Sequence, residues 1–104
     1  MNRVLIIDDD PVTRAVLKVM LTRLDREVIE ADDVASGIEA TEHEDFATII
    51  CDYMLPDGTG LDVLEARPSL AERFILLTGM SERDKLDDDR IADCLLYTSD
   101  AADE

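Results

Sequence analysis

Three consecutive aspartates, Asp8-Asp9-Asp10, follow the apolar run Val4-Leu5-Ile6-Ile7, and Asp52 follows Ala47-Thr48-Ile49-Ile50-Cys51. A third run, Phe74-Ile75-Leu76-Leu77, ends in Thr78-Gly79. Neighbouring strands lie about 4.8 Å apart. Acids at their ends would therefore crowd like charges into one small volume, where repulsion and burial both oppose ionisation. A hard divalent cation relieves that conflict. A small set of oxygen-only ligands, with room left for water and phosphate, favours Mg²⁺ over a caged Ca²⁺. There is no His/Cys cluster to suggest zinc. Asp10 has a different expected task, as the cap of the helix that begins at Pro11.

The elements that must place these residues can be read from periodicity. The three apolar runs are continuous rather than alternating, as in strands buried on both faces of a parallel sheet. Glu27 to Ala31 alternates and suits an edge strand. Between the strands, Val12, Val16, Leu17, Met20, Leu21 and Leu24 recur at helical spacing and form one apolar stripe. A second helix is expected from Val34 to about His43, capped by Asp33. A third should start near Thr59, carry Leu61 and Leu64, and stop before Pro68. A fourth is expected from Ser81, with Asp87-Asp88-Asp89 on its solvated face. The order βαβαβαβα predicts an α/β fold with a parallel sheet, helices on both faces and right-handed crossovers. In such sheets ligands bind beyond the carboxyl ends of the strands, which is where the aspartates sit.

Composition narrows the function classes. With 26 acids against 10 bases and a net charge of −16 over 104 residues, the chain will not by itself hold a nucleic-acid backbone or an anionic membrane. At 46% hydrophobic it is not a disordered acidic tail. No apolar run approaches the roughly 18 residues of a membrane span, and the first ten residues lack the layout of a signal peptide. A cytoplasmic location is expected, with Cys51 and Cys94 as free thiols. Cys51 is expected to fill the core, and His43 to lie at the surface.

The loop after Asp52 reads Tyr53-Met54-Leu55-Pro56-Asp57-Gly58-Thr59-Gly60, a tight and shaped turn. With it, the set Asp8-Asp9, Asp52, Pro56, Gly60 and Thr78-Gly79, in that order, resembles the receiver domain of bacterial two-component response regulators. The resemblance covers about residues 3 to 80. It implies a flavodoxin-like doubly wound sheet of strand order 2-1-3-4(-5). It further implies that Asp52 is the phosphoacceptor and that Asp9 and Asp52 bind Mg²⁺ directly, with the Met54 backbone carbonyl as a third ligand. By the same resemblance Asp8 acts through metal-bound water, the Thr78 hydroxyl bonds the arriving phosphoryl group, and Gly79 leaves space for it. The implied donor is a phosphohistidine on a sensor histidine kinase or phosphotransfer protein, or a small acyl phosphate. The implied module assists its own phosphotransfer and is not otherwise an enzyme.

The resemblance also has a gap. A complete receiver carries a lysine at the end of a fifth strand, followed by a fifth helix. The sequence has only Lys18, on the first helix, and Lys85, seven residues past Thr78. Neither fills that slot, so no switch lysine is assigned. Residues 94–104 resemble the frame translation of a transposase adapter used in sequencing libraries. The expectation is a receiver portion over residues 1–93, a non-native tail over 94–104, a fifth strand and helix incomplete or replaced, and a lost output domain. Residues 94–98 could still add as an edge strand, with Tyr97 where the lysine would stand. Two alternatives belong to other classes. One is a protein-interaction fragment that does not switch. The other is an Asp-nucleophile phosphatase, which wants a second Asp two residues after the first, where this sequence has Met54.

Overall fold

A computed structural model describes the backbone of residues 2–79 and 95–99 and the side chains of residues 2–77. The chain runs β1 (Arg3–Ile7), α1 (Pro11–Arg23), β2 (Glu27–Ala31), α2 (Val34–His43), β3 (Thr48–Asp52), β4 (Met54–Leu55), β5 (Gly58–Thr59) and α3 (Gly60–Ala66). A 3-10 helix (Pro68–Arg73), β6 (Phe74–Gly79) and β7 (Leu95–Ser99) follow. The expected fourth helix from Ser81, and Lys85 with it, lie outside the described residues.

The five longer strands form one sheet of order β2-β1-β3-β6-β7, every neighbouring pair parallel. β1 is central between β2 and β3, as the resemblance implies, and β2 is an edge. The expected fourth and fifth strands are β6 and β7. β7 comes from the segment set apart as a tail, and Leu95 to Ser99 pair in register with Ile75 to Gly79. The fold is α/β and flavodoxin-like.

Burial on both faces explains the continuous apolar runs. Leu5, Ile6 and Ile7 are fully buried in the sheet centre. Leu5, Ile7, Ile49, Cys51, Phe74 and Leu76 join Val34 of α2 and Leu61, Val63 and Leu64 of α3 in the main core. α2 approaches β1 closely at Gly37, where a Cβ would lie 2.6 Å from Ile7 Cδ1. The opposite face carries Val4, Ile6, Ile50 and Ile75, aligned across the strands. Right-handed crossovers place α1 on that second face, away from α2 and α3.

Two caps stand where the sequence puts them. The Asp10 carboxylate accepts from the Val12 N–H at 3.0 Å, with Pro11 opening α1. The Asp33 carboxylate accepts from the Ser36 N–H at 2.8 Å, and the Ser36 hydroxyl reaches back to Asp33. α3 begins one residue after its expected start, with Thr59 as its N-cap, and ends at Ala66. The 3-10 helix beyond Pro68 carries too weak a periodicity to be expected from sequence.

α1 corrects one expectation. Its stripe does not act as a single face. Leu17 and Leu21 are half-buried, whereas Val12, Val16, Met20 and Leu24 are each more than half exposed. No described element covers those exposed positions. Arg14 Nε lies 3.2 Å from Glu30 Oε1, Lys18 Nζ lies 3.5 Å from Glu30 Oε2, and Arg14 Nη1 donates to the Asp8 backbone oxygen at 2.6 Å. Those contacts lie on the side of α1 that faces β2, beside Leu17 and Leu21. At 100° per residue Val12, Val16 and Val19 sit nearly half a turn away from that side.

Candidate functional site

The carboxyl ends of β1 and β3 bring the predicted acids together. One carboxylate oxygen each from Asp8, Asp9 and Asp52 lies within 4.8 Å of the others. Asp8 is 4% exposed. Its N–H donates to the Ala31 carbonyl at 3.0 Å, which extends the β1–β2 ladder by one residue and turns its side chain inward. Its carboxylate accepts from the Asp10 N–H at 2.9 Å. Burial raises the Asp8 pKa, the Asp10 amide opposes that, and the charges of Asp9 and Asp10 push it up further. Asp10 behaves oppositely. The Thr13 hydroxyl and then the Val12 amide hold it below the ordinary carboxylate range. Asp10 is thus committed to its helix, while Asp8 and Asp9 face Asp52.

Asp52 ends β3, half-exposed, and aligns with Leu77 of β6. Its position is fixed through its neighbours. The Tyr53 N–H donates to the Leu77 carbonyl at 2.8 Å, and the Gly60 N–H donates to the Tyr53 carbonyl at 2.8 Å. The chain between them folds into the β4–β5 hairpin, with Leu55 opposite Gly58 and Pro56-Asp57 at the tip. Gly58 has φ 157°, and a Cβ there would lie 2.5 Å from Asp62 Oδ2. Met54, whose carbonyl is the expected third ligand, is on this hairpin with its side chain exposed. Thr78 is one residue beyond the Asp52 level on the adjacent strand, paired with Thr98. The Thr78 and Tyr97 side chains lie outside the described ones. Lys18 is committed to Glu30.

The donor set fits a hard divalent cation. Three carboxylates, one of them buried and charge-stressed, offer only oxygen, and a cation among them would offset their repulsion. Sequence reading missed two residues that shape this place. Arg14 grips the Asp8 carbonyl and lines a rim cavity of about 330 Å³ with Glu30, Ala31, Asp32 and Ser36. Its one available signal was a base on the helix that follows the acids. Asp57 accepts from two α2 amides, which only the tertiary fold reveals.

Comparison with known proteins agrees with this arrangement. Residues 4–90 match the response regulator receiver domain family. Response regulator protein PilR of Pseudomonas aeruginosa is 35% identical over 64 residues, 62% of this chain and 14% of PilR. Transcriptional regulatory protein SrrA of Staphylococcus aureus is 33% identical over 82 residues, 78% of this chain and 34% of SrrA. The chain therefore spans about a third or less of these relatives. The crystal structure of response regulator TrrA from Thermotoga maritima, in complex with Mg²⁺-BeF, superposes with a TM-score of 0.80 at 27% identity. That match covers 94% of this chain and 85% of TrrA. On the ordered strand-end acids, the sheet order and this match, the chain belongs to the response regulator receiver domain family.

Proposed function

We propose that the chain is the phosphoacceptor module of a two-component phosphorelay. Asp52 takes a phosphoryl group from the phosphohistidine of a sensor histidine kinase or phosphotransfer protein. The observation that carries this reading is the convergence of Asp8, Asp9 and Asp52 within 4.8 Å at one end of the sheet. The names of the relatives, and the Mg²⁺-BeF complex of TrrA, support it. Asp9 and Asp52, with the Met54 carbonyl, would hold Mg²⁺, and Asp8 would act through water. Bound there, the cation supplies charge compensation for the phosphoryl oxygens.

An Asp52 carboxylate oxygen forms the new bond to phosphorus while the bond to the donor nitrogen breaks. β3 holds that oxygen at the open end of the sheet, and burial of Asp8 fixes one wall of the site. Thr78 would then bond the phosphoryl group from the adjacent strand. A longer parent with an output domain agrees with the greater length of PilR and SrrA.

The test is acetyl phosphate with Mg²⁺, read by mass spectrometry. Asp52 should carry the label and Asp52→Asn should lose it, since that change removes the nucleophile at nearly constant volume. Label retained in Asp52→Asn would overturn the assignment. Mg²⁺ binding should fall about tenfold or more in Asp9→Asn and change little in Asp10→Asn, because Asp10 is occupied as a cap.

A further inference from the structure

The tip of the β4–β5 hairpin reaches across to a different helix. Asp57 Oδ1 accepts from the Val34 N–H at 2.7 Å, and Asp57 Oδ2 accepts from the Ala35 N–H at 3.0 Å. Those are the first two amides of α2. The third, Ser36 N–H, goes to α2's own cap Asp33 at 2.8 Å. α2 has no acid of its own in the first turn. Two carboxylates from different segments therefore satisfy its first three free amides, in the position that a helix N-terminus favours for negative charge.

The consequence runs toward the site. The base of the hairpin is fixed by Tyr53 and Gly60. Between those points the side chains that hold it are buried Leu55, Asp57 at the tip, and Asp62 accepting from the Thr59 N–H at 2.9 Å. Asp57 ties it to α2 through two hydrogen bonds. Met54 lies three residues away on the same hairpin.

We infer that Asp57 is a positioning residue: through α2 it fixes the hairpin that presents the Met54 carbonyl, and so sets the affinity of the aspartate site for Mg²⁺. The metal part of this inference rests on the function proposed above.

The experiment uses the whole chain and two readouts, amide hydrogen exchange across the hairpin and a Mg²⁺ titration. Asp57→Ala should speed hairpin exchange and weaken Mg²⁺ binding by roughly tenfold, the scale of losing a supporting contact behind a metal ligand. Asp57→Asn keeps one acceptor oxygen at the same volume and should fall in between. It also decides the matter if the alanine variant does not fold. Asp33→Ala is the control for a merely structural role, since it uncaps the same helix without touching the hairpin. It should change both readouts clearly less than Asp57→Ala does. If Asp57→Ala and Asp57→Asn change neither readout beyond Asp33→Ala, the inference is wrong. Asp52→Asn separates the two readings. If it binds Mg²⁺ like the parent, the metal reading falls, and hairpin exchange alone decides whether Asp57 couples the hairpin to α2.

Discussion

Gly60 occupies a place with no room for a side chain. A Cβ there would lie 2.6 Å from the Asp52 backbone oxygen, 2.7 Å from Leu76 Cδ1 and 3.0 Å from Cys51 Sγ. The first of these neighbours is backbone and cannot swing aside. Gly60→Ala should cost about 1–3 kcal/mol, the usual penalty of overpacking, and should displace Asp52 as it does so. A urea midpoint equal to that of the parent would contradict this. The sequence shows why glycine is expected in this loop, but not that the carbonyl of the proposed nucleophile is what the glycine accommodates. The aspartates were more legible. Their order along the chain and their places after buried runs already imply convergence. Their division of labour was partly legible too, because Asp10 precedes a proline that opens a helix. The grip of Arg14 on the Asp8 carbonyl was not, since it depends on how α1 is rotated.

That rotation belongs to the scale of elements. Periodicity identifies α1 correctly and caps it correctly, yet misreads its buried side. An apolar stripe states only that a helix has a side suited to packing. Which part of it packs depends on what covers it in the fold, and of this stripe Leu17 and Leu21 are the half-buried members. α2 is the opposite case, with its cap and length both readable from local signals. Its cap also gives a pH prediction. The Ser36 hydroxyl, followed by the Ser36 amide, lowers the Asp33 pKa. A depressed folded-state pKa means that the contribution is full above the unfolded-state value and is lost as pH falls through the folded one. Asp33→Ala should therefore be less stable than the parent near neutrality. The gap should close in acid, below the ordinary aspartate range. Urea titrations of both proteins at stepped pH would show it, and a gap constant down to that range would refute the capping account.

For the molecule as a whole, the parallel sheet follows from the βαβ pattern and its right-handed crossovers, whereas the strand order came with the resemblance carried by the strand-end motifs. The β4–β5 hairpin escaped that logic, because two-residue strands carry no periodicity. The sheet order has one more consequence, which concerns time. Among the described side chains β1 is the most completely buried strand, and it precedes both of its partners in the chain. Leu5 pairs with Ile29 on one side and with Ile49 on the other. At synthesis rates of about 5–20 residues per second, the second partner appears roughly two to nine seconds after β1. For that interval a ribosome carries Val4-Leu5-Ile6-Ile7 with one edge unpaired, a sticky segment awaiting its cover. Stalled nascent chains ending just before β3 should be cut by protease near β1 and held by chaperones. Chains that have extruded β3 and α3 should be protected. Equal protection at both lengths would mean that β1 with α1 and β2 already makes a stable unit.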